Sequence, residues 1–120
     1  MKPTINTSHK GKLIIQNQSI DHDFYINAEG RIEKRKTGDK IKDQEIRTLS
    51  LHEAEECYDP TVNELIIGCD DKDKLMISNE ATDFFEEKRL KIKVLPIDEA
   101  VVYWNRYEGH AVGLFHLPRQ

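Results

Sequence analysis

The stretch "NELIIGCDDKDKL", residues 63 to 75, brings a glycine, a cysteine and three aspartates to the end of an apolar run. Leu65, Ile66 and Ile67 form the run, and Gly68 reads as its break. A strand that ends in glycine ahead of a helix is where α/β proteins bind phosphate on backbone N–H groups. That chemistry wants several glycines and a lysine in register. Here one glycine is followed by Cys69, Asp70, Asp71 and Asp73, and acid repels phosphate. A calcium loop needs alternating oxygen ligands, a central glycine and a closing glutamate, and these are missing too. The segment therefore reads as a solvated acidic turn, with magnesium carried in beside a substrate as the alternative. Gly68, Cys69 and Asp70 are the candidate ligand-binding residues. No catalytic residue, metal site or cofactor follows from them.

The histidines form no obvious set. His22 lies between Asp21 and Asp23 on an expected strand, so its side chain should face away from both neighbours. His52 and Glu56 stand one helical turn apart, a spacing that could hold zinc, but two ligands do not make a site. His110 and His116 share parity on the last expected strand, yet six residues span about 20 Å there. "GHAVG" is not a nucleophile elbow. Cys57 and Cys69 lack CxxC spacing, which suggests buried reduced thiols and no disulfide framework.

A basic stretch is more suggestive. Between Arg31 and Arg47, seven Lys/Arg stand against four Asp/Glu, a local excess of +3. Arg31, Lys34, Arg35 and Lys36 on an exposed edge strand could meet an acidic partner. Protection of the edge against aggregation explains the same lysines and arginines. Tyr103, Trp104, Arg106 and Tyr107 could mark an interface, although core packing explains Trp104 better.

These groups need a scaffold, and the periodicities supply one. "GKLIIQNQSIDHDFYINAEGRIEKRK" reads as a β-meander: Leu13 to Ile15, a turn at Asn17-Gln18, a return strand from Ile20 to Ile26, a turn at Glu29-Gly30 and a third strand over 31–36. Residues 37–48 read as loop. Ser50 and Glu53 match a capping box, opening a helix that runs to about Tyr58 with Leu51, Ala54 and Tyr58 inward. A buried strand follows at Leu65 to Ile67, then a helix over 79–89, a strand at "KIKVLP" and a helix capped by Asp98 that carries Val101 and Trp104 inward and ends by Gly109. "HAVGLFHL" is apolar on both faces, hence central. The order β-β-β-α-β-α-β-α-β predicts an α/β domain with a mixed sheet.

Composition agrees. A chain of 120 residues with 38% hydrophobic and 33% charged residues suits one domain. A net charge of −4 gives no support for nucleic-acid binding. No apolar run approaches the ~20 residues needed to span a bilayer. "MKPTINTSHKGK" has no signal core, so a cytoplasmic location is expected.

Several of these stretches together resemble the Mth-nine-three-eight-like domain family. The opening hairpin, "NELIIGCD" and the tail "KVLPIDEAVVYWNRYEGHAVGLFHL" carry the resemblance, over roughly residues 11 to 117. The tail, with Leu95-Pro96, Glu99-Ala100 and Asn105, is its most specific part. The family consists of small single domains without an established activity. Its relatives include an adipogenesis-associated domain protein and a respiratory complex I assembly factor. The resemblance implies a three-layer α/β domain with a central mixed sheet and an added β layer, to which the periodicities give three helices, and it implies no established enzymatic activity, cofactor or catalytic set. Two departures stand out. Asp70 replaces a glycine usual after Cys69, and "IRTLSLHEAEE" keeps only the serine cap and acidic helix of the family's usual run.

The expected organisation is a tail over 1–10, a single domain over 11–117 and a tail over 118–120. The expected function is a non-catalytic binding or assembly module with a protein partner as yet unknown, without nucleic acid or membrane. The alternative is a small-molecule or anion-binding enzyme that uses a cleft near Gly68. An enzyme would need a pocket joining Gly68 to polar groups such as Arg35, Ser50 or Asn105.

Overall fold

A computed structural model describes residues 2–7, 12–35, 47–70 and 74–117. Its strands are β1 (Ile5–Thr7), β2 (Leu13–Ile15), β3 (Gln18–Ile20), β4 (Phe24–Ile26), β5 (Ile32–Lys34), β6 (Thr48–Leu49), β7 (Glu64–Cys69), β8 (Met76–Ile77), β9 (Lys91–Leu95) and β10 (Ala111–His116). Its helices are α1 (Leu51–Cys57), α2 (Asn79–Glu87) and α3 (Ile97–Arg106).

The central sheet has five strands in the order β5-β4-β10-β7-β9. β7 runs parallel to β10 and β9, while β4 is antiparallel to β10 and β5. β10 is therefore central, and each of its six residues is buried. Alternation along the strands sorts two cores. Ile66, Phe24, Ile26 and Phe115 face α3 and the β1-β2-β3 sheet. Leu65, Ile67, Val112 and Leu114 face the other way, toward Ala54 of α1 and Ala81 and Phe85 of α2. The result is a three-layer α/β domain with a central mixed sheet, an N-terminal meander and three helices among the described residues. No helix among the described residues is long and apolar enough to cross a membrane.

Several boundaries differ from the sequence reading, each for a physical reason. The meander is β1-β2-β3 rather than three strands starting at Leu13. β1 lies within the expected N-terminal tail. Asn105 holds it there by copying a strand partner: its Oδ1 accepts from the Ile5 N–H at 2.9 Å and its Nδ2 donates to the Ile5 carbonyl at 2.8 Å. The tight turn falls at Gln16 and Asn17, both with positive φ, as a two-residue hairpin turn requires. The expected return strand is split at residues 21–23. Ile20 ends the meander's third strand, and Phe24 to Ile26 enter the central sheet. The chain breaks there because the Asp23 carboxylate turns inward to accept the Leu117 N–H at 2.8 Å.

Ser50 caps α1, its Oγ accepting from the Glu53 N–H at 3.2 Å. Glu53 does not close a capping box, because its carboxylate is drawn to Arg35; a charge-assisted bidentate pair outweighs a return bond to the cap. Leu51, expected inward, is exposed, and Ala54 carries the buried face. Asp98 does not cap α3. The helix already includes Ile97, Pro96 is its N-cap without a side-chain bond, and Asp98 and Glu99 occupy the acidic first turn. α3 stops at Arg106, ahead of the expected Gly109. β7 continues through Gly68 to Cys69. Gly68 is not a break: a Cβ there would lie 2.9 Å from the Phe115 ring and 3.0 Å from Ala100. Its missing side chain lets α3 and Phe115 approach the sheet.

Candidate functional site

Among the described residues, three of the four buried polar side chains, Asp23, Arg35 and His116, converge at one end of the central strands. Asp23 precedes β4, Arg35 follows β5, Glu53 lies on α1 and His116 ends β10. Arg35 was expected on an exposed strand, and here it is buried, with 3% of its surface accessible. Its Nη1 lies 3.1 Å from Asp23 Oδ2. Its Nε and Nη2 grip Glu53 at 2.6 and 2.9 Å, and Nη2 also donates to the Thr48 carbonyl at 3.2 Å. Asp23 Oδ2 also meets His116 Nδ1 at 2.6 Å. The Tyr25 hydroxyl donates to Glu53.

Electrostatics follow from these contacts. Burial pushes the Asp23 carboxyl up, but His116, the Leu117 N–H and Arg35 outweigh it and hold the group below the usual carboxylate range. Burial works against the Arg35 charge, and Glu53 more than restores it. Burial and the Glu53 charge together raise the Tyr25 hydroxyl. Burial, helped by Glu53, pushes the Cys57 thiol up to about 12. Asp23, Arg35, Glu53, Tyr25 and His116 Nδ1 are joined in one hydrogen-bonded network. The arrangement clamps α1 to the ends of three strands.

A second feature lies at the carboxyl ends of β7 and β9. A cleft of about 460 Å³ opens there, lined by Met76 and Ile77 of β8 and by Val94, Leu95 and Pro96 at the end of β9. Cys69, Leu75, Asp70 and Lys74 complete its lining. Met76 and Val94 are among the few large apolar residues exposed on the described surface, at 58% and 43%.

The candidate residues are dispersed. Gly68 is sealed in the sheet between Phe115 and Leu95, and Cys69 is buried beside His116 in the parallel register. Only Asp70, half-buried, reaches the cleft with a charged group. Asp71, Asp73 and Lys36 lie outside the described residues, as does the segment up to Lys42. Lys34 is exposed on β5, and Arg31, exposed just before it, lies 3.6 Å from Glu29. Gly68, Arg35, Ser50 and Asn105 do not converge. Gly68 faces α3, Arg35 faces α1, Ser50 caps α1 and Asn105 binds Ile5. His52 pairs with Glu56 at 2.8 Å on an exposed helix face. His22 contacts the Asp23 carbonyl, not its carboxylate. Trp104 is buried, with its Nε1 donating to the Pro3 carbonyl at 2.9 Å. Among the described residues, no three His, Cys, Asp or Glu side chains gather to hold a metal ion.

The sequence reading missed the Asp23–Arg35–Glu53–His116 cluster. One signal was available: His116 shares parity with Val112 and Leu114 on a strand apolar on both faces, so it had to be buried and satisfied.

No protein-family model and no curated protein matches the chain. Three solved structures share its fold. A conserved hypothetical protein from Pyrococcus horikoshii superposes with a TM-score of 0.74 at 21% identity, over 97% of this chain and 99% of its own. A protein designated MT938 gives 0.70 at 15% identity, over 98% and 100%. A Bordetella parapertussis protein gives 0.64 at 13% identity, over 98% and 97%. The chain thus has the α/β fold of these proteins along nearly its full length.

Proposed function

We propose that this protein is a non-catalytic binding module that takes an apolar group of its partner into the cleft between Met76 and Val94. One observation carries the reading. The buried polar side chains Asp23, Arg35 and His116 are bonded to one another and to Glu53 inside the domain, whereas the exposed apolar residues Met76 and Val94 line an open cleft. The cleft also lies at the carboxyl end of parallel strands, where open α/β sheets bind their ligands. Membership of the Mth-nine-three-eight-like family, whose relatives serve in assembly, belongs to this proposal and is in keeping with the shared fold of MT938. In this proposal the partner meets the cleft; of the basic stretch, Arg35 is buried, while Arg31 and Lys34 stay exposed.

The test is a methyl NMR titration with N-acetyl-leucine methylamide. The expected result is saturable shifts at Met76, Ile77, Val94 and Leu95. Shifts elsewhere with these methyls unmoved would contradict the reading.

A second reading, a small-molecule or anion-binding enzyme, draws support from Asp70 and Lys74, which bring both charge signs to the same cleft. A thermal-shift screen with nucleotides, phosphate and divalent cations tests it. A specific rise in Tm that disappears in Lys74→Ala would favour it over the binding module.

A further inference from the structure

β9 is an outer strand of the central sheet, and among the described residues it pairs with β7 alone. The Lys91 N–H donates to the Asn63 carbonyl at 3.2 Å, so the backbone of Lys91 faces β7. Facing alternates along a strand, so Lys93 and Leu95 also bond toward β7. Ile92 and Val94 then turn their N–H and C=O groups to the outer edge.

The side chains of β9 divide as cleanly. Lys91 and Lys93 are exposed on the α3 face, paired in register with Glu64 and Ile66. Ile92 and Val94 lie on the α2 face, and Val94 lines the cleft together with Met76. Residues 88–96 hold Lys88, Arg89, Lys91 and Lys93 and no acid, in a chain whose net charge is −4. Lysines alone would be ordinary edge protection. They do not account for an open cleft lined by the exposed side chains of Val94, on the other face of this edge, and of Met76 on the neighbouring β8. A second copy of the chain is a poor occupant, because antiparallel pairing centred on Lys93 sets two lysines face to face.

We propose that the β9 edge docks an extended protein segment in which acidic and apolar residues alternate. The segment adds as a sixth strand, with its backbone bonded to Ile92 and Val94. Its apolar side chains enter the cleft beside Val94 and Met76, and its carboxylates meet Lys91 and Lys93. This is recognition by strand addition, in which main-chain bonds supply affinity and alternate side chains supply specificity. It rests on the cleft-binding reading above and adds the partner's conformation and chemistry.

The test is an amide NMR titration of the full chain with an end-blocked hexapeptide of alternating glutamate and valine. The expected result is that the Ile92 and Val94 amides shift most and exchange more slowly with solvent when the peptide is bound. Lys91→Glu combined with Lys93→Glu changes only exposed side chains. It should weaken the glutamate peptide roughly tenfold or more and strengthen a lysine-valine hexapeptide. Val94→Pro removes one outward N–H and should weaken the glutamate peptide by a similar factor. Equal binding of both peptides to the unaltered protein, no binding at millimolar peptide, or tighter binding of a single-stranded oligonucleotide at the same residues would overturn the proposal. Shifts at the Met76 and Val94 methyls with the edge amides unmoved would overturn strand addition and leave the cleft reading standing. Silence of those methyls toward N-acetyl-leucine methylamide would instead remove the cleft reading.

Discussion

The Arg35 guanidinium lies 3.1 Å from the Asp23 carboxylate, with both side chains almost closed off from solvent. The backbone repeats the contact, since the Arg35 N–H donates to the Asp23 carbonyl at 2.9 Å. Glu53 closes the guanidinium from the other side, so the ends of β4 and β5 are tied to α1. A buried ion pair contributes little net stability over a well-packed apolar pair, but breaking one strands a charge.

Arg35→Ala should therefore cost roughly 3–5 kcal/mol, because Asp23 and Glu53 lose their shared cation inside the domain. Lys34→Ala, one residue away and exposed, should stay within about 0.5 kcal/mol. Urea denaturation of both variants is the check. Equal losses would mean that the cluster does not clamp the fold.

The contrast between Lys34 and Arg35 also marks how far the sequence could be read. Periodicity was enough for the layers: β10 is apolar on both faces and therefore central, and the segment from β7 through α2 to β9 reads directly as strand, helix, strand. Ser50 as a helix cap was equally local information. What escaped depends on distant partners. Arg35 looks like one more cation in a basic run, and only the arrival of Glu53 from α1 and Asp23 from β4 buries it. Gly68 looks like a break because its reason, the Phe115 ring, lies 47 positions along the chain. β1 escaped because its anchor, Asn105, sits on the last helix. The cleft depends on β8, two residues too short to give a period.

Acid should weaken the protein through Asp23. Its folded-state carboxyl is held below its ordinary value, so its contribution is complete above an unfolded pKa of about 3.9 and is lost as pH falls through the lower folded value. Asp23→Asn should flatten the loss of stability below about pH 4. Denaturation midpoints measured between neutral pH and strong acid would show it. Parallel pH profiles for the two proteins would contradict the assignment.

Gly68→Ala places a methyl group against the Phe115 ring and Ala100. Overpacking of this kind costs about 1–3 kcal/mol. Combining it with Phe115→Leu, which removes the ring, should recover part of that loss. A double-mutant cycle measures the recovery, and strict additivity would exclude the contact as the cause.

Asn105→Ala should release β1 while leaving the central sheet intact. Both bonds to Ile5 disappear, and its buried N–H and C=O are left unpaired at a cost of about 1–3 kcal/mol. Hydrogen exchange should quicken at Ile5 and Asn6 and stay slow at Leu114. Uniform quickening would show that β1 is not a separate unit.

The account separates stability, held by the Asp23–Arg35–Glu53–His116 cluster, from recognition, assigned to the Met76–Val94 cleft. The affinity of Met76→Asp for N-acetyl-leucine methylamide, compared with that of the unaltered protein, tests this most directly. Met76 is exposed, so the variant should keep its Tm. The account predicts a loss of affinity of roughly tenfold or more at unchanged Tm. Full affinity in the Met76→Asp variant would contradict it.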